Sequence, residues 1–548
     1  LLVPMFRGNW RKIYMLFLPL AGLWCLVDSQ SGTFFTFTLF DYQIVPVRVD
    51  PLSLIFGYIF HIAAALSVVY AWHNDDIVEQ VAGLAYAGAG IGAVFAGDLI
   101  TLFVYWEAMA VTSVFLIWAR RTDAAYAAGM RYLIIQVGSG VLLLSGAILM
   151  AHETGSIAFE KMTLGSLATW LILIAFGIKC AFPFMHNWLQ DAYPEATVTG
   201  TVFLSAFTTK CAVYALARGF PGTELLIYVG AAMTAFPIFY AVIENDLRRV
   251  LAYSLNNQLG FMVVGVGIGT TLAINGAAAH AFAHILYKAL LFMSMGAVLY
   301  RVGTVKGSEL GGLYKSMPFT TVFCIIGAAS ISAFPLFSGF IAKSLTLSAV
   351  AHEGYIAIWM ILLFASAGVF HHSGIKIPYF AFFAHDSGKR CKEAPLNMLI
   401  AMGITAFMCI AIGVYSPWLY SLLPYPVQYE PYTTSHVIGQ YQLLMFSALA
   451  FAVLMRFKIY PPELKSVNLD FDITYRKWVP AIYRWLIDLT RDGWQSILQD
   501  LRRGVHWIVT YMFRHHGPEG ILARTWPTGS MALWVAVLLG GILLLYYV

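Results

Sequence analysis

Charge is what this sequence has least of. Asp, Glu, Lys and Arg make up 11% of its 548 residues, against about a quarter in a typical soluble domain. With 60% hydrophobic residues and a mean hydropathy of +0.73, the chain is excluded from the soluble class and is read as a membrane protein. Cysteine is also sparse. Cys25, Cys180, Cys211, Cys324, Cys391 and Cys409 are scattered, mostly inside apolar runs, with no C-x-x-C pair and no ligand spacing, so they are read as small interior residues. A nucleic-acid stripe is missing too, because the lysines and arginines behind the net charge of +5 flank the apolar runs. Gly88, Gly90 and Gly92 lie inside an apolar run rather than between a strand and a helix, which excludes a nucleotide loop and fits close helix packing.

What is present is a succession of apolar stretches, each long enough to cross about 30 Å of hydrocarbon. Complete spans are expected near 13–27, 52–72, 79–97, 99–118, 131–151, 167–185, 197–217, 224–243, 249–270, 273–300, 319–351, 355–382, 397–416, 440–457 and 529–548. That makes about fifteen, and the start at Leu1 without Met, running into Arg7, Arg11 and Lys12, is read as the tail of a preceding span. The region 319–351 is too long for one straight helix and is interrupted at Phe334-Pro335 and Ser338-Gly339.

Loop charge tests this count. One alternating set of loops holds Arg7, Arg11, Lys12, Arg120, Arg121, Arg131, Arg248, Arg249, Arg301, Lys306, Lys315, Lys389, Arg390 and Lys392, the other Arg48, Lys161 and Arg218. The asymmetry, about 14 to 3, assigns the basic loops to the cytoplasm. Between the last two spans, Arg476 to Phe513 carries apolar residues at helical spacing opposite Arg484, Asp488, Arg491, Asp500, Arg502 and Arg503. An amphipathic helix along the membrane surface or against partner loops is expected there. An internal echo joins Lys179-Cys180-Ala181-Phe182-Pro183-Phe184 to Ser332-Ala333-Phe334-Pro335-Leu336-Phe337. Matched breaks in two separated spans predict two inverted five-helix units, with irregular backbone lining an ion path.

The few charges inside spans are therefore the informative residues. An intramembrane lysine costs a few kcal/mol or more and reads as functional by default. Lys179 and Lys210 sit in apolar runs, and Glu107, mid-span in Val104-Tyr105-Trp106-Glu107-Ala108, is the expected partner of Lys179. A static ion pair between helices is the plainer reading, but Lys210 has no acidic residue in its span. His280, His284 and Lys288 share one face of their span at i, i+4 and i+8, which fits a proton wire as well as satisfied core polar groups. Lys343 follows the Ser338-Gly339 break, and Lys376 with His371-His372 forms a second group.

Taken in order, Trp106-Glu107, Lys179 before the Pro183 break, His186-Asn187-Trp188-Leu189-Gln190-Asp191-Ala192, Lys210, His280 to Lys288, and Phe337-Ser338-Gly339-Phe340-Ile341-Ala342-Lys343 resemble one family. It is the antiporter-like subunit family shared by Mrp-type Na+/H+ antiporters, whose D-type subunit the chain resembles, and the proton-pumping membrane subunits of respiratory complex I. The motifs cover residues 50 to 380, and Gln190 and Thr197 depart from the family's usual prolines. The resemblance implies that Glu107 and Lys179 are the coupled pair, Lys210 the central relay, and Lys343 the end of the path past His284.

The expected fold is an all-α polytopic membrane protein. Its divisions are N-terminal spans 1–97, inverted repeats 98–243 and 244–396, C-terminal spans 397–457, a surface segment 458–528 and a final helix 529–548. The expected function is that of a proton-translocating subunit of a multi-subunit monovalent cation/proton antiporter of the Mrp type. It would sit in a bacterial cytoplasmic (inner) membrane among other membrane subunits and lipids, bind no nucleic acid, and need no cofactor or metal. Lysine at 343 favours that assignment, while the long surface helix and last span favour a pumping subunit of a complex I-like NADH-quinone oxidoreductase. Two other classes stay open: a haem-carrying oxidoreductase, which would use the histidines but leave the lysines unexplained, and a scaffold in an inorganic-carbon-accumulating complex.

Overall fold

The computed structural model describes residues 2–461, 463, 464, 468–524 and 527–547. Residue 1 of the expected N-terminal segment, 462, 465–467, 525 and 526 of the surface segment, and 548 of the final span lie outside the described residues. Helix α1 (Gly8–Val27) leads into two nested antiparallel hairpins, β1 (Gly32–Phe34) with β4 (Val47–Val49) and β2 (Phe37–Leu39) with β3 (Tyr42–Ile44). These short strands, in the link between the first two spans, are an element the sequence reading did not foresee.

Continuous rods follow: α2 (Pro51–Tyr70), α3 (Ile77–Phe95), α4 (Leu99–Trp118) and α5 (Asp123–Thr154). Three of them start on an aspartate whose carboxylate accepts first-turn N–H groups, Asp50, Asp76 and Asp98, which satisfies donors that lipid could not. The chain then breaks. Helix α6 (Leu167–Lys179) ends at its lysine and α7 (Asn187–Ala192) resumes beyond Pro183, while α8 (Gly200–Ala206) and α9 (Thr208–Gly219) are divided at Phe207. Next come α10 (Leu225–Ile243), α11 (Leu247–Ile268) and α12 (Thr271–Val302), then a second broken pair, α13 (Pro318–Ile331) and α14 (Ser338–His352). Helix α15 (Ile356–Val369) passes through π-helical turns at Phe370–Ile375 and Tyr379–Phe383, with α16 (Lys376–Pro378) between them. Helices α17 (Leu396–Val414), α18 (Ser416–Ser421) and α19 (Thr434–Arg456) complete a first unit, Leu1–Asn468. A second unit, Leu469–Val548, holds the 38-residue amphipathic helix α20 (Val479–His516) and the apolar α21 (Thr528–Tyr547).

Among the described residues, twelve helices are long and apolar enough to cross a bilayer, and the chain is a multi-pass membrane protein. The other expected spans fall on α6 with α7, on α13 with α14, and on α11, where Asn256-Asn257-Gln258 interrupt the apolar run. Lipid gives helices no hydrophobic reason to associate, so close approach by small residues does much of the work. A Cβ on Gly230 of α10 would lie 2.6 Å from Val264 N, and one on Gly260 of α11 would lie 2.5 Å from Gly230 O. Of the glycine strip, Gly90 faces Phe207 and Gly92 faces Tyr105, whereas Gly88 meets nothing within 4 Å.

Backbone events recur along the first unit at a nearly constant interval. The N-cap carboxylates Asp98 and Asp246, 148 positions apart, also form matching isolated bridges with Ala158 and Lys306. Helices α5 and α12 are both 32 residues long and both end on a left-handed glycine, Gly155 and Gly303. At the two breaks, Ala181 and Phe184 (φ 61° and 68°) match Ala333 and Leu336 (φ 59° and 74°). The local hydrogen bonds match too: Phe182 N to Gly177 O at 3.0 Å, and Phe334 N to Ala329 O at 3.1 Å. Left-handed non-glycine residues are uncommon and persist where the surroundings impose them, so Ala-Phe-Pro is a reproducible way of stopping a helix here.

Arg248, in the first turn of α11, fixes the link between the two broken helices. Its guanidinium donates to the carbonyls of Pro194 (3.1 Å), Tyr193 (3.2 Å), Ala196 (3.1 Å) and Thr197 (3.2 Å), and to the Thr201 hydroxyl. Replacing it by alanine strands several buried carbonyls. Arg248→Ala is expected to destabilise the fold by about 3 kcal/mol, read as a lower midpoint of heat-induced aggregation in detergent; an unchanged midpoint would refute the clamp.

Candidate functional site

The candidate residues Glu107, Lys179, Lys210, His280, His284, Lys288, Lys343 and Lys376 are all buried or half-buried, and several of the ammonium groups share one environment. Lys210 is fully buried on α9 and donates to Ser205 O at 2.6 Å, a carbonyl at the α8–α9 break. Lys343 on α14 donates to Ile331 O at 2.7 Å, the last residue of α13 before the Pro335 break, and its Nζ lies 5.3 Å from the centre of the Phe261 ring. Lys376 donates to the carbonyls of Val242 (2.6 Å), Glu244 (2.6 Å) and Ala241 (3.3 Å) at the end of α10. Carbonyls left unpaired where a helix stops carry the negative end of its dipole. The breaks thus supply the partial charges that hold cations in the low-dielectric interior.

Glu107 and Lys179 are neighbours without direct contact. Lys179 Nζ donates to the carbonyl of Trp106 and lies 4.5 Å from the centre of that residue's ring. The ring is held by Trp106 Nε1 donating to Ser139 Oγ at 2.9 Å, and Ser139 Oγ donates to Ala175 O at 2.7 Å. Among the described residues Glu107 makes no ion pair, and its Oε1 is buried without a hydrogen-bond partner against Gly140 of α5. Lys179 of α6 is held at Trp106, the residue before Glu107 on α4, and no closed salt bridge joins the two charges.

On α12 the three-position face is present, but its members bond outward and not to each other. His280 Nε2 lies 3.1 Å from Gln258 Oε1 and 3.0 Å from the Tyr287 hydroxyl, which donates to the same Gln258 oxygen at 3.1 Å. The His280 and His284 rings stand 6.2 Å apart, and neither nitrogen of His284 has a protein hydrogen-bond partner among the described residues. Lys288 donates to Ser254 Oγ at 2.9 Å and Leu251 O at 3.2 Å. From Ser254 the bonding continues: Ser373 Oγ donates to it at 2.8 Å, and His372 Nδ1 lies 2.9 Å from Ser373 Oγ.

Ser254, Gln258, Tyr287 and Ser373 were missed in the sequence, although Asn256-Asn257-Gln258 inside a span was a visible signal. Glu463 was missed as well. It lies after α19 and pairs with Lys376 at 2.9 Å, both side chains almost completely covered. Lys376 is thus buried and held by backbone carbonyls and a carboxylate together. Among the described residues no group of three His, Cys, Asp or Glu side chains is arranged to hold a metal ion.

Residues 96–387 match the family described as "NADH:quinone oxidoreductase/Mrp antiporter, TM". Among curated relatives, Hydrogenase-4 component B of Escherichia coli (strain K12) is 27% identical over 431 residues, 69% of this chain and 64% of that protein. The D-type subunit of the Na(+)/H(+) antiporter of Alkalihalophilus pseudofirmus is 31% identical over 309 residues, 52% of this chain and 63% of that protein. The chain therefore spans somewhat under two thirds of these relatives. A chain in the structure of the membrane-bound sulfane sulfur reductase, an archaeal respiratory membrane complex, shares the fold, with TM-score 0.72, 21% identity and coverage of 99% of this chain and 97% of that one.

A methyl group on Gly140 would overlap Glu107 Oε1. In a structure of the Gly140→Ala protein the carboxylate is expected to leave the α4–α5 contact; an unmoved carboxylate beside a displaced α5 would show that the helix yields instead.

Proposed function

Because the chain belongs to the NADH:quinone oxidoreductase/Mrp antiporter transmembrane family, we propose that it is a proton-translocating subunit of a multi-subunit membrane complex. In its finer form the proposal is a monovalent cation/proton (Na+/H+) antiporter of the Mrp type, in a bacterial cytoplasmic membrane. The observation that carries it is the row of buried ammonium groups Lys179, Lys210, Lys288 and Lys343, each with its Nζ on backbone carbonyls or a hydroxyl and none in an ion pair among the described residues. A lysine kept as glue is expected to face a carboxylate. One solvated by carbonyls keeps its proton only while the local field favours it, and neutral amine and ammonium are both accessible to it.

In this reading Glu107 sets the field at Lys179. When a cation, or a charge moving within a neighbouring membrane protein of the complex, pulls the carboxylate away, a counter-charge is lost and Lys179 passes its proton toward Lys210. His284, with both ring nitrogens free of protein hydrogen bonds, receives it, and the proton leaves past Lys343. The 148-residue recurrence supports the division of this path between two five-helix repeats, the first at 98–243 and the second at 244–396.

A second reading, a pumping subunit of a redox-driven complex of the complex I type, is favoured by the 27% identity to Hydrogenase-4 component B over 69% of this chain. The subunits that co-purify separate the two: flavin and iron–sulfur proteins mean the redox complex, their absence the antiporter. The relay itself is tested by proton flux in liposomes carrying the assembled complex. Lys210→Ala is expected to reduce flux to background and Glu107→Gln to lower it by about tenfold or more; wild-type flux in Lys210→Ala, with normal assembly, would overturn the relay.

A further inference from the structure

The helix formed by α15 and α16 departs from α geometry over the stretch that faces the row of lysines. π-helical turns are rare and concentrate at functional positions, because the extra residue re-aims side chains. Here the turn Phe370–Ile375 turns His372 and Ser373 fully inward. Gly374 lies so close to the second break that a Cβ would overlap the Ser332 hydroxyl. The hydroxyl of Ser373 meets that of Ser254, and so reaches Lys288 through two hydrogen bonds of 2.8 and 2.9 Å.

In the other direction, one helical turn from His372, stands Lys376. Its carbonyl ligands at the end of α10 can hold a cation but cannot take its proton. Its remaining contact, Glu463 Oε1 at 2.9 Å, can. Unlike Lys179, Lys210, Lys288 and Lys343, Lys376 has, among the described residues, a carboxylate within ion-pair distance. Burial pushes the Glu463 carboxyl up, against the opposing pull of the Lys376 ammonium. Described residues near Glu463 make contacts of their own. Tyr460 stacks on His371 with ring centres 5.4 Å apart, Asn468 Nδ2 donates to Glu244 Oε2 at 3.1 Å, and Gly307, lacking a Cβ, leaves room for the carboxylate. This corner also holds Arg249 and Lys306, on the side that carries most of the basic loop residues.

We propose that Glu463 and Lys376 form a proton port on the basic-loop side of the membrane, joined to Lys288 through His372, Ser373 and Ser254. The port rests on the proton-translocating reading above, but is a branch distinct from the Glu107–Lys179 end of the path. A proton from water enters on the Glu463 carboxylate and passes to neutral Lys376. It reaches His372 at Nε2, which has no protein hydrogen-bond partner among the described residues, and the imidazole releases its Nδ1 proton to Ser373. Each of the two hydroxyls takes one proton and gives up its own, and deprotonated Lys288 accepts the last. One positive charge has moved; His372 is left as its Nε2–H tautomer and the two hydroxyls are left reversed, so tautomer exchange at the imidazole and rotation of the hydroxyls reset the chain before the next proton.

The experiment measures dye-reported proton flux in liposomes carrying the whole complex, normalised to assembled complex on native gels. Glu463→Gln and Ser373→Ala are each expected to cut flux by about tenfold, while Glu463→Asp and Ser373→Thr, which keep the carboxylate and the hydroxyl, retain most of it. If Lys210→Ala is inactive but Glu463→Gln and Ser373→Ala run at the wild-type rate, the port is wrong and the relay stands. If Lys210→Ala also runs at the wild-type rate, the translocation reading itself has failed. Should Glu463→Gln fail to assemble, Ser373→Ala decides, because loss of one hydroxyl between helices removes no charge.

Discussion

An ammonium group inside a bilayer needs oxygen atoms around it, and in this fold they come from the backbone. Lys210, Lys343 and Lys376 each rest on carbonyls of a helix that has just stopped. Carbonyls inside an intact helix are already bonded within their segment, and Lys179 and Lys288 share such carbonyls at Trp106 and Leu251. The breaks at Phe207 and Pro335 and the end of α10 give Lys210, Lys343 and Lys376 carbonyls at helix ends instead. The strained residues at the Ala-Phe-Pro breaks, each costing on the order of 1 kcal/mol, are held because the surrounding helices leave no other geometry.

This choice of ligand has a chemical consequence. A carboxylate in contact with a buried lysine ties the two charge states together, so that neither changes without a proton passing between them or to a third group, and removing either leaves a stranded charge. Carbonyls stabilise the cation without being stranded when it becomes neutral, because they are polar in either case. Lys179, Lys210 and Lys343 are held in this adjustable way. Glu107 occupies space that glycine at 140 leaves open.

The spans were legible because hydropathy needs only composition, and the Pro183 and Pro335 breaks because proline cannot continue a helix. Phe207 carried no such mark: its helix breaks without proline or glycine, and Lys210 gave the only hint that a free carbonyl was nearby. The π-helical turns were equally hidden, since Gly374 and Pro378 are common in membrane helices. Glu107 and Lys179 were read as a pair, and in the structure the ammonium sits on the carbonyl of Trp106; spacing along the chain does not say whether an ammonium will prefer a carboxylate or a carbonyl. Ser254, Ser373 and Glu463 escaped for a different reason. Serine in a span usually bonds its own helix, and a glutamate in a loop usually faces water, so their roles depend on tertiary neighbours 119 positions apart for the two serines.

The recurring frame explains why the two halves can do different chemistry. Helices α5 and α12 share length, caps and register, so Tyr132, Gln136 and Gly140 occupy the positions taken 148 residues later by His280, His284 and Lys288, and all six are buried. At the third position, glycine in α5 makes room for Glu107 arriving from α4, while lysine in α12 reaches out to Ser254 of α11. Trp106, whose carbonyl holds Lys179, and Ser254, whose hydroxyl holds Lys288, are themselves 148 positions apart. Backbone caps and breaks fix where polar groups can be tolerated, and these are kept because lipid punishes every unpaired amide. Which side chain fills each tolerated place is not constrained in the same way, so one half can carry a half-buried carboxylate and the other a row of buried imidazoles.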